Sequence, residues 1–309
     1  MPIPPAIVCL GEPMIEFNRP RNGDGRHWLQ GFGGDTSNAA IAAARQGASV
    51  GYLTSLGRDW MGDAFLELWA AEGVDASRVG LHESAPTGVY FVTHGPEGHK
   101  FDFLRKGSAA SLMRPGQIPA AYVAAARFLH LSAISQAISN EARQACDVAI
   151  DSARAAGTRV SFDTNLRLRL WDLGTAQRTI HATMARCDIV LPSLEDSRQL
   201  TALDAPDAIA DFYLGLGPSL VALKMGGDGA LIAGHDFRLR IPAHPVTVVD
   251  ATGAGDTFDG AFLARLMAGD DPETAGRYAN VAAALSTRGY GAVAPIPHRA
   301  EVEEALRRA

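Results

Sequence analysis

Toward its C-terminal end the chain carries Val248-Val249-Asp250-Ala251-Thr252-Gly253-Ala254-Gly255-Asp256-Thr257-Phe258. An apolar segment feeds a run of very small residues, which opens into helical text. Small side chains let backbone N–H groups approach an anion closely, and a helix N-terminus adds the positive end of its dipole. A phosphoryl group in transfer suits such a place, because its transition state spreads negative charge over several oxygens. In that reading the Gly253, Ala254 and Gly255 amides stabilise the charge. Asp256, in the first helical turn, takes the proton of the attacking hydroxyl. The dipole should hold Asp256 ionised and therefore weakly basic, which a loose transition state tolerates. Residue types alone fit a plain helix start equally well, with Asp256 as the N-cap after a glycine turn.

Rival chemistries find less support. The run lacks G-x-x-x-x-G-K-[ST] and fails G-x-G-x-x-G, since Phe258 holds the third glycine position; Gly31-Phe32-Gly33-Gly34-Asp35-Thr36 fails both patterns too. A P-loop nucleotidase and a dinucleotide dehydrogenase are thus disfavoured. The three cysteines form no C-x-x-C, and the nine histidines match no metal-ligand spacing. Ser132 and Ser135 lack the glycines of a nucleophile elbow. A net charge of −6 gives no reason to expect nucleic acid or an anionic membrane as partner, so an anionic substrate needs local basic residues. Neither a signal peptide nor a membrane-length apolar run is found, and a soluble cytoplasmic protein is the expectation.

A ligand site at the ends of a parallel sheet needs strands and helices in alternation. Residues 6–10 form a short apolar run ended by Gly11, as in a buried strand. Residues 35–46 are Ala-rich helical text, with Asp35 or Thr36 as N-cap and Gly47 as C-cap. Residues 50–56 read as one strand and 62–72 as a helix. Later strands fall at 128–131, 159–163, 188–191 and 220–224, with helices at 140–156, 175–186, 254–268 and 273–287. That rhythm predicts an α/β fold of βαβ units, a parallel sheet with helices on both faces. Residues 87–105 read instead as a hairpin outside the main sheet, turning at 94–98, with Phe101, Phe103 and Arg105 on one face and Asp102 and Leu104 on the other.

Two distant motifs, Gly33-Gly34-Asp35-Thr36-Ser37-Asn38 and the run from Asp250 to Asp256, resemble the ribokinase-like, or PfkB, carbohydrate kinase family. Lys224-Met225-Gly226-Gly227-Asp228-Gly229-Ala230 is similar to that family's Lys-x-Gly-x-x-Gly turn, and the match spans essentially the whole chain. The resemblance implies a central, mostly parallel sheet flanked by helices, in one domain over 1–309. It also implies a small β lid formed by parts of 12–32 and 86–107. The activity implied is ATP-dependent phosphorylation of a small sugar or sugar acid with Asp256 as base, which makes the N-cap reading a minor one. Phe32-Gly33-Gly34-Asp35-x-x-Asn38 and Phe162-Asp163-x-Asn165-x-Arg167-x-x-Leu170-Trp171 read most like the branch acting on 2-keto-3-deoxygluconate. Fructokinase-like members share the second pattern.

The resemblance also implies roles. Gly33, Gly34, Asp35 and Asn38 would bind substrate hydroxyls, or else form a tight turn and a capped helix start. Tyr90, Phe103 and Arg105 would close from the lid; for Tyr90 and Phe103, inward packing of hairpin aromatics is an equal reading. Arg105 and Arg167 would grip a sugar acid's carboxylate while Asp256 addresses its primary hydroxyl. Arg167 also suits the phosphates of ATP, and Arg169 reads as a solvated neighbour. Asn165, Ser193, Lys224, Gly226, Gly227, Asp228 and Gly229 would flank ATP, with Gly253 and Gly255 at its phosphates. Asn280 would lie beside the base or be a polar residue on a helix surface. Mg2+ would arrive with ATP and have no direct protein ligand, Asp196 acting through water. Analogy also implies a homo-oligomer.

Departures from the family pattern are specific. Ser193-Leu194-Glu195-Asp196 replaces Asn-x-x-Glu, keeping an acid but losing the amide. Ala251 stands for the usual threonine, which puts a monovalent-cation site in question. Phe103 stands where near relatives place tyrosine, removing a hydroxyl. Other readings are phosphorylation of fructose or another neutral sugar, and a non-catalytic sugar sensor on the same fold. Retention of Asp256 and its glycine turn argues against the sensor.

Overall fold

In β1 (Ile7–Leu10), Ile7 and Cys9 join one apolar cluster while Val8 and Leu10 join another, and all four are buried. Such a strand is covered on both faces. The structure, a computed structural model, describes residues 4–20, 24–95 and 98–308. After β1 come β2 (Met14–Asn18), β3 (Leu29–Gly33), α1 (Asp35–Arg45), β4 (Val50–Leu53), β5 (Ser55–Gly57), α2 (Trp60–Ala71), β6 (Val74–Asp75) and β7 (Gly80–His82). Next are β8 (Gly88–Gly95), β9 (Gly98–Leu104), α3 (Ala120–Ala124), β10 (Phe128–Ser132), α4 (Ala133–Ala137), α5 (Asn140–Ala156), β11 (Arg159–Asp163) and α6 (Leu173–Met184). The chain continues with β12 (Ile189–Val190), α7 (Leu194–Thr201), α8 (Pro206–Leu216), β13 (Leu220–Lys224), β14 (Ala230–Ala233), β15 (Arg238–Ile241), α9 (Ala254–Ala268), α10 (Pro272–Ser286) and α11 (Arg299–Arg308).

Among the described residues the main sheet has nine strands in the order β15-β14-β13-β12-β11-β10-β1-β4-β6. It is parallel from β13 to β6 and antiparallel at β13–β14 and β14–β15. Ile41, Phe65, Trp69, Phe262 and Tyr278 cover one face; Cys146, Ile150, Ile180, Ile209 and Tyr213 cover the other. Each such side chain contributes roughly 1.5–3 kcal/mol on burial. A second sheet, β3-β2-β8-β9, carries the hairpin, with Val92 opposite Phe101. Its strands come from 12–32 and 86–107, except that β3 reaches Gly33. Pro96 and Glu97 of the expected turn, and Arg21, Asn22 and Gly23 of the first segment, lie outside the described residues. None of the helices described is long and apolar enough to cross a membrane.

Several expectations need correcting. Residues 50–56 are two strands: β4 stays in the main sheet, whereas the Thr54 carbonyl accepts from Gly80 N at 2.9 Å and β5 pairs with β7. The short strands β6, β7, β14 and β15 add to those the sequence predicts. The N-cap of α1 is Gly34, not Asp35 or Thr36, and its C-cap is Gln46, one residue before Gly47. Asp35 and Thr36 instead point into tertiary contacts, Thr36 Oγ1 lying 2.9 Å from the Tyr52 hydroxyl. Helices α2 and α6 begin two residues earlier than read, because Asp59 and Asp172 accept from the Gly62 and Thr175 amides and cap them.

Candidate active site

Carboxyl ends of the parallel strands and the N-termini of two helices meet at one place, as the topology requires. Asp163 ends β11, Lys224 ends β13, and Ser193 follows β12 and caps α7 by accepting from Asp196 N at 3.1 Å. The helices are α1 and α9. A Cβ at Gly260 would run into the Ala39 carbonyl and stand 2.7 Å from Ala42 Cβ, so glycine there lets α9 lie against the alanine face of α1. That close approach brings Asn38 Nδ2 to 2.8 Å from Asp256 Oδ2.

Gly253, at φ 76°, is the N-cap of α9 and gives no side-chain cap; Asp256 stands three residues on, and its Oδ2 is bonded to Asn38. The N-cap reading of Asp256 is therefore set aside. So is the expectation of a strongly ionised carboxylate. Burial first, and then the nearby Asp35 and Asp163, push Asp256 up to about 7, against the opposing pull of Asn38 and Lys224. Desolvation and like charge outweigh the helix terminus. Were Asp256 the base expected from the sequence, it would have to be ionised in the free protein, so kcat/KM should fall as pH drops below about 7. Asn38→Ala removes a donor that stabilises the anion, so it should move that acidic limb to higher pH. An unmoved limb in a pH–rate profile would separate Asn38 from Asp256.

Around this pair the charges are tightly engaged. Lys224 Nζ lies 2.9 Å and 3.0 Å from the two Asp259 oxygens and 3.2 Å from Asp163 Oδ2. Arg105 donates to the fully buried Glu12, which also accepts from Ser108 Oγ at 2.8 Å. The Arg105 guanidinium lies 5.4 Å from the centre of the Phe103 ring, and its Nε is buried without a hydrogen-bond partner. Tyr90 donates to Glu16 and stacks on Phe103 at 5.9 Å between ring centres. Asn165 Nδ2 donates to Asp35 Oδ2 at 3.0 Å. Asp35 Oδ1 and Asn38 Oδ1 remain buried acceptors without partners. Burial raises Asp35, and Asp163 adds to the effect.

A cavity of about 1040 Å³ joins these groups. From the sugar-side expectation it takes Gly34, Asp35, Asn38, Tyr90, Phe103, Arg105 and Arg167; Gly33 stays behind, against Tyr90. From the nucleotide side it takes Asn165, Ser193, Lys224, Gly226, Asp228, Gly253 and Gly255, with Asp196 on the wall. Gly227, Gly229 and Ala254 lie outside the lining, as does Asn280, whose amide donates to Pro242 O at 2.7 Å. Pro242 borders a smaller recess of about 420 Å³, which shares Leu194, Arg198, Met225 and Asp228 with the main cavity. Arg169 is not merely solvated: it lines the cavity and donates from Nη1 to the Phe101 carbonyl at 2.6 Å, reaching the small sheet. Sequence reasoning missed Glu12 and Asp259; the one available signal was that Asp259 follows Asp256 by three residues, on one helix face.

Metal binding can be judged from the donors. Among the described residues no group of three or more His, Cys, Asp or Glu could hold an ion alone. Glu195, Asp196 and Asp163 nonetheless put carboxylates on the cavity wall, hard donors that fit the water shell of a magnesium ion arriving with a nucleotide. Asp196 also accepts from Leu166 N at 3.0 Å and so braces the loop after β11. Asp250, beside Ala251, accepts from Thr252 Oγ1 at 2.7 Å and from Gly291 N at 3.1 Å, tying together the two loops behind the glycine turn.

The chain is similar to known proteins over nearly its whole length. The profile of the pfkB family carbohydrate kinase matches residues 5–299. A 2-dehydro-3-deoxygluconokinase of Thermoproteus tenax is 33% identical over 306 residues, covering 96% of this chain and 93% of the relative. Among solved structures, a PfkB protein from Polaromonas sp. JS666 superposes with a TM-score of 0.88 at 33% identity, over 97% of this chain and 99% of the other. A fructokinase with bound ATP from Xylella fastidiosa gives a TM-score of 0.88 at 26% identity, over 98% of both chains.

Proposed function

The chain belongs to the pfkB family of carbohydrate kinases, and from that premise we propose that it phosphorylates 2-keto-3-deoxygluconate on its 6-hydroxyl with ATP. The observation that carries this is the pair of orphaned buried acceptors, Asp35 Oδ1 and Asn38 Oδ1, beside Asp256. A buried acceptor without a donor is costly, and substrate hydroxyls would satisfy both. Arg105, with its unpartnered Nε, and Arg167 line the same cavity and suit a carboxylate at the far end of the sugar. The Thermoproteus tenax relative supports the same acceptor.

In this mechanism Asp256 receives the proton of the 6-hydroxyl as its oxygen bonds to the γ-phosphorus and the bond to the β-phosphate oxygen breaks, releasing ADP. Amides of the Gly253–Gly255 turn stabilise the charge on the transferred group. Magnesium, when bound, neutralises phosphate charge. The small sheet carrying Tyr90, Phe103 and Arg105 acts as a lid that excludes water, with Arg169 reaching it from the core. The base of ATP occupies the smaller recess, near Asn280.

A second reading has its own observation. Glu12 already compensates Arg105, which favours a neutral acceptor such as fructose. A coupled ADP-release assay over sugar acids and ketoses decides between them, and no turnover of any sugar acid removes the first reading. Arg105→Ala should raise KM for the acid by about 10–100-fold, the worth of a charge-assisted hydrogen bond, and leave KM for fructose within about threefold. An equal loss on both would show that Arg105 does not read the carboxylate.

A further inference from the structure

The steps of phosphoryl transfer give Asp259 no part, although it and its neighbour Asp163 are buried, at 1% and 6% exposure, against a lysine that is itself only 12% exposed. Asp259 lies one helical turn beyond Asp256 on α9, so the two carboxylates share a face. Asp163 is itself held, since its other oxygen accepts from Asn165 N at 3.1 Å. Lysine has a long stem and much rotamer freedom, and an ammonium beside a reaction centre is of use only where it is fixed. Here Asp259 takes the ammonium with both oxygens and Asp163 takes it from the side. Its open direction faces the glycine turn: Lys224 Nζ would stand 3.5 Å from a Cβ at Gly255, and Lys224, Asp163, Gly255 and Asp256 all line the cavity. Charge can be placed there more simply with one lysine and one carboxylate, and the second acid fixes direction.

We propose that Asp259, together with Asp163, is a positioning residue for phosphoryl transfer, holding the Lys224 ammonium at the Gly253–Asp256 turn where it meets the negative charge of the transferred group. The inference rests on that turn being the phosphoryl site and is indifferent to which sugar accepts. Asp259 touches neither substrate; it acts through Lys224.

A double-mutant cycle on steady-state kinetics tests it, using whichever sugar the wild type phosphorylates, so a misassigned acceptor appears in the wild-type panel and leaves this test intact. Lys224→Met should lower kcat by about 100-fold, the loss of one charge-stabilising donor, with KM for the sugar within about threefold. Asp259→Leu should lower kcat by about 10–100-fold with the same split, and Asp259→Asn, which keeps an acceptor oxygen, should recover most of it. In Lys224→Met/Asp259→Leu, an apolar and charge-balanced pair, kcat should equal that of Lys224→Met alone. Should Asp259→Leu not fold, that double variant against Lys224→Met still decides. A further tenfold loss in the double variant, wild-type kcat in Asp259→Leu, or wild-type kcat in Lys224→Met would each overturn the proposal.

Discussion

Asp256→Asn should fold as the wild type does and lose kcat by about 10²–10⁴-fold, the usual worth of a positioned general base. Asparagine has the same shape, keeps an acceptor for the Asn38 amide, and removes only the capacity to take a proton. Binding of the sugar, which the proposed mechanism assigns to Asp35, Asn38 and the arginines, should change little, so the loss falls on kcat. Stability should move the other way. Asp256 is held at about 7 in the folded protein against an ordinary 3.8, so the native state binds more protons than the unfolded chain between about pH 4 and 7. The wild type therefore loses stability as pH rises through that window, and Asp256→Asn does not. Thermal melts at pH 5 and pH 8 should show the variant gaining on the wild type at the higher pH. Activity within tenfold of wild type would remove Asp256 from the role of base.

The same residue shows how much is legible in the amino-acid text. Gly253, Ala254, Gly255 and Asp256 are consecutive, so a turn built from small residues ahead of a helix is written in one stretch. The βαβ rhythm is equally local, since each buried strand is a short apolar run. Four other features depend on residues far apart. The Lys224 clamp draws on positions 163, 224 and 259, and the Glu12–Arg105 pair spans 93 residues. Neither leaves a periodic trace, because a single charge at a strand end looks like surface until its partner is placed. The proton affinity of Asp256 escapes the sequence for a related reason: the dipole is visible in the text, whereas the carboxylates of Asp35 and Asp163 reach it only through the packing of α1 on α9 and the parallel register of β11. Arg169 reads as solvated because the strand it reaches, β9, lies 68 residues earlier than the arginine in sequence.

Gly253→Ala should cost both stability and catalysis, and a second glycine on the same helix separates the two effects. Gly253 sits at φ 76°, and an added Cβ would lie 2.9 Å from the Ala292 carbonyl oxygen and 3.1 Å from Ala292 Cα. Backbone rather than a mobile side chain is in the way, so the turn itself must shift. The left-handed conformation adds about 1–2 kcal/mol of strain for alanine. Gly269, at the other end of α9, has φ 100°, and a Cβ added there would meet nothing within 4 Å. Gly269→Ala thus carries the backbone strain without the collision, and it should lower Tm by a few degrees while kcat stays at the wild-type level. Gly253→Ala should lower Tm at least as far and reduce kcat by about 100-fold, because displaced amides no longer meet the developing charge and misplacement of about 1 Å is worth that much. KM for the sugar, held by the far side of the cavity, should move less than kcat. Equal kinetics in the two variants would mean that the turn at Gly253 is only a helix start, and that the amides ahead of Asp256 take no part in phosphoryl transfer.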